Sequence, residues 1–257
     1  MLKLCNSVDR EALENFCNVS DPFASYVLCR AKAYGFEKRF CETWLCFSAN
    51  KVTSALSVIN GNAVLYSNGD TDFEELGSFI NSARFNTLLT DAFSAEMLGF
   101  ASFRKKQALI FSADAPKAEL LSAADYKQVY SLLCECFPHE YLREKEHYLE
   151  WLSDITFRSG RKLARVRSVF DGGELCSNTL TVAETDITAV IGGVCCKAEK
   201  RGLGFGKKAV FSIASELLNE KKNVFVLAND DVAEGFYKKI GFSLYENSAY
   251  IERNNNV

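Results

Sequence analysis

The sequence predicts an α/β protein in which a mixed, largely antiparallel sheet is flanked by helices. Three runs of strand-like residues follow one another at residues 162–170, 175–183 and 187–196. The links between these runs are short, which favours antiparallel neighbours because a parallel pair needs a long crossover. Segments with apolar residues at helical spacing precede and follow the runs. A similar order of elements is found in both halves of the chain, which indicates two tandem copies of one fold.

The second half of the chain opens with a predicted helix. Ser122–Asp125 resembles a capping box, and apolar residues from Val129 to Cys136 follow at helical spacing, as far as Pro138. Residues 187–196 are apolar on both faces, so we expect this strand to lie in the middle of its sheet. The other predicted elements are helices at 141–155, 205–218 and 231–240, a strand at 224–228, and a final hairpin of strands 242–245 and 249–253.

The first half gives a matching order of elements. Its predicted helices are at 22–34, from 73 onward and at 94–98, and its predicted strands are at 43–49, 52–59, 63–67, 86–90 and 107–111. A polar link that contains Pro116 follows the last of these strands. We therefore place a domain boundary at this link, with one domain at residues 1–117 and the other at residues 118–257.

The charge and hydropathy of the chain exclude several classes of function. The chain has 30 Lys and Arg against 33 Asp and Glu, which does not fit nucleic-acid binding through a broad basic surface. The longest apolar run, Ala189–Cys196, is far shorter than the ~20 residues of a membrane-spanning helix. The first residues turn polar too early for a secretory signal. We therefore expect a cytoplasmic protein without nucleic-acid or membrane partners.

The ten cysteines do not follow a metal-binding or disulfide pattern. No C-x-x-C pair occurs, and this pair is half of the usual zinc site. Cys134 and Cys136 lie two positions apart on a predicted helix, which turns their side chains about 200° away from each other. Cys195 and Cys196 are adjacent on a predicted strand and point to opposite faces. We expect small buried residues in a reducing compartment, and no metal.

A glycine-rich loop joins the apolar middle strand to the helix that follows it. Gly202, Gly204 and Gly206 allow the main chain to turn its amide groups inward, because glycine has no Cβ atom. The first turn of a helix has amide hydrogens without partners and carries a partial positive charge. This arrangement predicts a site for a phosphate or pyrophosphate. The cations close to it in the sequence are Arg201, Lys207 and Lys208.

The spacing of the glycines decides which nucleotide such a loop can hold. A Walker loop has four residues between its two glycines, but only three separate Gly202 from Gly206, and Lys208 replaces the hydroxyl residue. A dinucleotide loop, G-x-G-x-x-G, needs its third glycine one residue later. The segment from Arg201 to Gly206 instead reads R-x-x-G-x-G. This pattern resembles the acetyl-CoA pyrophosphate loop of the GNAT superfamily of N-acetyltransferases.

A second segment carries the same resemblance. Val232–Phe242 is similar to the A-x-x-[LF]-Y-x-[KR]-x-G-F segment of that family, with Ala233, Tyr237 and Gly241 on the pattern. The order strand, loop, helix, strand, helix, strand agrees as well. The resemblance covers residues 119–257, and it implies the acyl-CoA N-acyltransferase fold.

The resemblance implies an enzyme that transfers an acetyl group from acetyl-CoA to a primary amine by direct attack. Free amides near Cys196 would stabilise the oxyanion, and Tyr237 would donate a proton to the departing thiolate. The family often has an asparagine seven residues before this tyrosine, where this sequence has Asp230, preceded by Asn229. The residues that the resemblance assigns to cofactor binding are Val194, Cys195, Cys196, Arg201, Gly202, Leu203, Gly204, Phe205, Gly206, Lys207, Asn229 and Tyr237.

The general base and the acceptor amine are left open by the sequence. Glu184 and Asp186 occupy a predicted turn, where exposure to solvent is expected, and His147 lies on a predicted helix. A non-catalytic CoA-binding regulatory module and a partner-binding protein with a vestigial loop are alternatives to the enzyme. Whether two copies of the chain form a homodimer is open as well.

The first half lacks a basic glycine-rich loop. Its equivalent stretch, Leu65–Glu75, is acidic, and carboxylates at a helix start would satisfy the helix dipole and repel a pyrophosphate. We expect this half to be a degenerate GNAT-like domain that does not bind CoA. Its expected role is to shape the acceptor cleft or to pair subunits.

Overall fold

The computed structural model describes residues 1–36, 38–83 and 85–253, and these residues form two compact units. The end of the predicted second domain, residues 254–257, lies outside the described residues. The first unit is made of Met1–Ile110, Leu227–Lys239 and Ser243–Val257, and the second of Phe111–Val226 and Ile240–Phe242. The units therefore do not correspond to a single cut in the sequence, and the boundary after residue 117 stays a prediction.

The helices and strands alternate along the chain in two similar series. The first series is β1 (Leu2–Leu4), α1 (Arg10–Cys17), α2 (Pro22–Tyr34), β2 (Cys41–Ser48), β3 (Lys51–Ile59), β4 (Asn62–Ser67), α3 (Phe73–Ser82), β5 (Thr87–Asp91), α4 (Ala92–Met97) and β6 (Arg104–Phe111). The second series is α5 (Tyr126–Cys136), α6 (Lys145–Gly160), β7 (Val166–Asp171), β8 (Glu174–Glu184), β9 (Thr188–Cys196), α7 (Phe205–Asn219), β10 (Asn223–Ala228), α8 (Asp231–Lys239) and β11 (Phe242–Glu252). None of the described helices combines the length and apolar character needed to cross a bilayer.

The sheet of the first unit has the strand order β1-β2-β3-β4-β5-β11-β6. Strands β1 to β4 are antiparallel neighbours, β4 and β5 pair in parallel, and β11 runs antiparallel to β5. Successive residues of β3 enter different cores: Ala55 packs with α1 and α2, and Leu56 packs with α3. Helices therefore cover both faces of this sheet, as the apolar residues on both faces of its middle strands require.

The sheet of the second unit has the strand order β7-β8-β9-β10. Strands β7, β8 and β9 are antiparallel, whereas β9 and β10 pair in parallel. Val129, Leu133 and Ile155 of α5 and α6 form a core with the strands. Helix α7 contacts the three antiparallel strands through fully buried residues that include Ile213 and Leu217. These observations confirm the predicted fold class, a mixed and largely antiparallel sheet flanked by helices.

Most predicted elements agree with the structure to within three residues at each end. Three predictions in the second half are wrong at their start. Strand β7 begins at Val166 rather than 162, because Lys162 has a left-handed backbone in the turn that ends α6. Helix α6 spans Lys145–Gly160 rather than 141–155. The N-cap of α5 is Asp125 alone, since its side chain accepts from the amide of Lys127, so the capping box is not formed.

The predicted hairpin at the end of the chain is wrong. Residues 242–252 form one continuous strand, in which Ser248 pairs with Asp91 and Glu252 pairs with Thr87. The segment Glu246–Ser248 has the composition of a turn, but it lies inside this strand, whose ladder with β5 begins at Ser248. Pairing between segments distant in sequence therefore overrides the local preference of these residues.

All ten cysteines are free thiols, and eight of them are buried. The two that remain partly accessible are Cys136 and Cys196. The prediction that the cysteines serve as small core residues is confirmed for the buried eight.

A network of charged side chains ties α7 to the strands of the second unit. The Arg165 guanidinium binds Glu184 at 2.7 Å, Glu216 of α7 at 2.6 Å and Glu220 at 2.6 Å. Lys222 is 2.6 Å from Glu184, whose side chain is only 1% exposed. The expectation that Glu184 is a solvated turn residue is therefore wrong. The carboxylate is buried, and two cations compensate its charge, as a buried charge requires.

We expect Arg165→Met to lower the free energy of unfolding of the second unit by about 3–5 kcal/mol, because it leaves Glu184 buried with one cation less. Urea denaturation in a Trp44→Phe background measures this through Trp151, which lies in the second unit. The control is Lys200→Met, which removes a more exposed ion pair with Asp171 and should leave the unfolding midpoint close to that of the Trp44→Phe background. Equal unfolding midpoints for the two variants would contradict this role of Arg165.

Candidate functional site

Strand β9 has an edge that is only partly paired. Its parallel register with β10 covers Thr188 to Ile191, opposite Asn223 to Val226. β9 then continues for five residues, Gly192 to Cys196, which are paired only with β8 on the other side. The parallel pairing of β9 with β10 therefore stops after Ile191. Beyond Ile191 this edge of β9 offers main-chain groups that have no β10 partner in the described residues.

A β-bulge lies in this part of β9, which pairs with β8 but not with β10. Leu180 of β8 is opposite Gly192 and Asn178 is opposite Cys195, so β9 has one residue more than β8 between the two pairs. Gly193 has φ +53°, and a Cβ atom there would lie 3.1 Å from the Leu180 side chain. A Cβ atom on Gly192 would lie 2.6 Å from Val182 Cγ1. Only glycine fits at these two positions.

Gly192 and Gly193 were not predicted as site residues, although the sequence contains a pattern that indicates a bulge. Two adjacent glycines interrupt an otherwise apolar strand, and glycine inside a strand often marks a bulge. The bulge turns main-chain polar groups out of the ladder with β8. It therefore adds candidate hydrogen-bonding groups to the unpaired edge of β9.

The glycine loop after β9 turns the chain into α7. The amide of Lys197 still donates to Cys176 O at 2.9 Å, and a short 3₁₀ turn over Ala198–Lys200 follows. Gly202 and Gly204 then adopt left-handed conformations with φ +79° and +87°. These two glycines supply the backbone freedom that the sequence predicts. Gly206 differs, because it is the second residue of α7.

The N-terminus of α7 has no cap of its own. The N-cap residue is Gly204, which has no side chain to accept a hydrogen bond, and no acidic residue lies in the first turn. The helix ladder begins with Lys208 N donating to Gly204 O at 2.9 Å. The amides of Phe205, Gly206 and Lys207 precede this bond and have no acceptor within the helix. Together with the helix dipole, these amides can bind an anion.

Helix α3 of the first unit has the opposite arrangement. Its N-cap is Asp72, whose carboxylate accepts from the amides of Glu74 at 3.1 Å and Glu75 at 3.0 Å. Glu74 and Glu75 also place negative charge in the first turn. The first amides of α3 therefore have a hydrogen-bond acceptor within the protein, whereas the corresponding amides of α7 have no side-chain cap. This difference agrees with the prediction that the acidic stretch 65–75 satisfies its own helix start.

The cations around the loop are exposed and only lightly held. Arg201 Nε donates to Cys196 O at 3.3 Å, which folds the guanidinium back toward the end of β9. Lys207 Nζ lies 4.9 Å from the centre of the Phe211 ring. Lys208 Nζ is 3.3 Å from a Glu119 carboxylate oxygen. Arg201 and Lys207 therefore contribute positive charge beside the free amides.

The side chain of Cys195, near the end of β9, is buried. Cys195 is 4% exposed and packs in the core with α5, so it can contribute only main-chain groups. Its carbonyl accepts from Ser177 Oγ at 2.6 Å, and the Cys196 carbonyl accepts from Cys136 Sγ at 3.6 Å. The pKa of Cys136 is lowered, mainly because the Cys195 thiol is hydrogen-bonded to it. Leu203 of the loop is, by contrast, 65% exposed.

Two predicted site residues lie in the first unit rather than in the second. Asn229 is exposed between β10 and α8, and Tyr237 is 8% exposed on α8. The N-terminus of α8 is capped by Asp230, whose Oδ1 accepts from Ala233 N at 2.7 Å. The ten other predicted residues, from Val194 to Lys207, all lie in the second unit. The roles of Asn229 and Tyr237 stay predictions.

The structure does not identify a general base. Glu184 is committed to Arg165 and Lys222 in the charged network, as described above. His147 is an exposed residue of α6, with Nδ1 3.7 Å from the Glu144 carboxylate. The base therefore remains unassigned.

The chain is similar to one protein family in sequence and to several solved structures in fold. The family model described as FR47-like protein matches residues 170–251. A tandem GNAT protein from the clavulanic acid biosynthesis pathway is similar over 100% of both chains, with 14% identity and a TM-score of 0.62. A GNAT acetyltransferase from Colwellia psychrerythraea matches over 99% of this chain and 100% of its own, with 13% identity and a TM-score of 0.61. A GCN5-related N-acetyltransferase from Sphaerobacter thermophilus covers 97% and 94%, with 15% identity and a TM-score of 0.63.

No curated protein matches the chain in sequence. Similarity to solved structures at these identities shows the fold, and it extends over both halves of the chain. The family match adds sequence evidence for the part that contains β9, the glycine loop and α7. Residues 170–251 therefore match the FR47-like family model, and the whole chain has the fold of the tandem GNAT protein.

Proposed function

We propose that this protein is an acyl-CoA-dependent N-acyltransferase, with acetyl-CoA as the donor and a primary amine as the acceptor. The observation that carries the proposal is the uncapped N-terminus of α7, placed directly after a strand whose edge is unpaired. A pyrophosphate suits the former, and an extended chain with amide groups, such as pantetheine, suits the latter. The names of the structural neighbours, which include N-acetyltransferases, support an amine as acceptor.

Different residues of the second unit would bind different parts of the donor. The amides of Phe205, Gly206 and Lys207 bind the pyrophosphate, and Arg201 adds positive charge. Main-chain groups of Gly192–Cys196 bind the pantetheine arm as an added strand would be bound. Amides at this edge lie where they can stabilise the negative charge on the thioester oxygen.

The transfer itself is a direct attack. The lone pair of a neutral amine forms a bond to the thioester carbon, and the carbon–sulfur bond breaks when the oxyanion collapses. The amine loses a proton to solvent or to an unassigned base. The thiolate gains a proton, which we assign to Tyr237 on the basis of the family resemblance.

The proposal is tested by incubating the full chain with acetyl-CoA and a panel of primary amines, and by detecting acetylated amine and free CoA in equal amounts. We expect product that depends on both substrates and on the protein. Tight binding of acetyl-CoA without turnover would favour the non-catalytic regulatory module instead. No binding of acetyl-CoA in calorimetry would reject the donor assignment and favour the partner-binding alternative.

We expect Gly204→Val to weaken CoA binding at least about tenfold, measured by isothermal titration calorimetry. An added Cβ atom meets nothing within 4 Å, so the change acts through the backbone, which must leave φ +87° and re-aim the loop amides. The matched control is Gly99→Val, because Gly99 has φ +81° and also has nothing within 4 Å. Similar affinities for the two variants would reject the loop as the pyrophosphate site.

We expect Tyr237→Phe to lower kcat by about a hundredfold and to leave KM for acetyl-CoA nearly unchanged, because the lost hydroxyl acts on the leaving thiolate. The control is Tyr126→Phe, which removes a hydroxyl that contacts Ser159 Oγ in the second unit and should preserve both constants. An unchanged kcat in Tyr237→Phe would remove this residue from the mechanism.

A further inference from the structure

The first unit contains a cavity at the point where its own parallel strand pair separates. Strands β4 and β5 pair over Asn62–Val64 and Thr87–Leu89, but β4 continues to Ser67 and β5 to Asp91. A cavity of about 260 Å³ lies beside these strand ends. Its lining includes Asp21, Phe23, Tyr66, Asp91, Phe93 and Glu246, and we call it the acidic cavity.

The three carboxylates of the acidic cavity come from three separate elements of the first unit. Asp21 is the N-cap of α2, Asp91 is the N-cap of α4, and Glu246 lies on β11. In the described residues, no lysine or arginine forms an ion pair with any of the three. The cavity therefore concentrates negative charge that the protein itself does not balance.

A buried polar atom at the cavity is left without a hydrogen bond. Asp21 is 8% exposed, and its Oδ1 accepts from the amides of Phe23 at 2.8 Å and Ala24 at 2.9 Å. Glu246 Oε1 is buried and has no partner among the described residues. A buried polar atom without a partner is costly, so a ligand that donated to Glu246 Oε1 would be stabilised.

The electrostatic cost of this arrangement is visible at two of the carboxyl groups. Burial, together with the charges of Asp21 and Asp91, raises the pKa of Glu246 to about 8. Burial raises the pKa of Asp21 to about 6, against the effect of its two backbone hydrogen bonds. A cation bound among these groups would reverse both shifts, since an opposite charge favours the ionised carboxylate.

The residues that line the cavity favour an organic cation over a metal ion. Among the described residues, no three His, Cys, Asp or Glu side chains are grouped closely enough to hold a metal. The three carboxylates therefore do not form a metal site. The rings of Phe23, Tyr66 and Phe93 line the same space, and aromatic faces attract organic cations. An anionic ligand such as a phosphate would be repelled.

We propose that the acidic cavity binds a small aliphatic amine in its ammonium form. The ammonium group pairs with the Glu246 carboxylate, close to the negative charges of Asp21 and Asp91, and the carbon chain lies against the aromatic rings. This site does not depend on the proposed acyl transfer, because every residue that forms it lies in the first unit. The first unit is therefore a binding module for a cation.

The test is calorimetric titration of the full chain with 1,4-diaminobutane, at a pH above 8, where Glu246 is ionised. We expect saturable binding of the diamine and no binding of 1,4-butanediol, its uncharged analogue. Glu246→Gln should weaken binding about tenfold or more, because it removes charge and keeps the shape of the side chain. The control is Glu252→Gln on the same strand, whose side chain is 55% exposed, and it should bind as the wild type does.

A second variant guards against a folding defect in the first. Asp91→Asn should weaken diamine binding in the same way, and circular dichroism should show both variants folded. The proposal is overturned if the diol binds as well as the diamine, if both variants keep wild-type affinity, or if Ca²⁺ binds in place of the diamine. Acetyl-CoA turnover is measured separately, so failure of this site and failure of the proposed transfer are distinguishable.

Discussion

A parallel strand pair that stops pairing part of the way along leaves main-chain polar groups without partners, and this constraint governs the rest of the structure. In the second unit, β9 continues for five residues after its register with β10 ends. The helix that follows begins at Gly204 without a side-chain cap. Main-chain groups without partners therefore occur first along the edge of β9 and then at the start of α7. A ligand that contains both amide groups and a pyrophosphate can form hydrogen bonds with both sets.

The first unit meets the same constraint in a different way. Its parallel pair, β4 and β5, also separates after three paired residues. The next helix, α3, is capped by Asp72, so no anion is needed there. The acidic cavity lies beside the separated strand ends, with Asp21, Asp91 and Glu246 around it. The two units thus have similar backbones but opposite charges at these positions: the second unit is basic at its glycine loop, and the first is acidic at its cavity. Because charge decides which ligands are attracted, the two positions favour different ligands.

The candidate site was largely predictable because its decisive features are local. Gly202 and Gly204 adopt the left-handed backbone expected of them, and the loop opens α7 at Phe205 as the pattern indicates. The bulge at Gly193 was not predicted, since a pair of glycines in a strand does not say which way the register shifts. The role of Glu184 was misjudged, because its partners Arg165 and Lys222 are distant from it in the sequence.

The sequence alone predicts the fold class, the glycine loop and the order of most elements, since each depends on patterns within about twenty residues. Only the tertiary structure decided that 242–252 is one strand and that it pairs with β5. The same pairing brings Glu246 to the cavity that holds Asp21 and Asp91. Residues more than a hundred positions apart meet there through strand pairing, and their contact is set by the packing of the whole sheet rather than by local spacing.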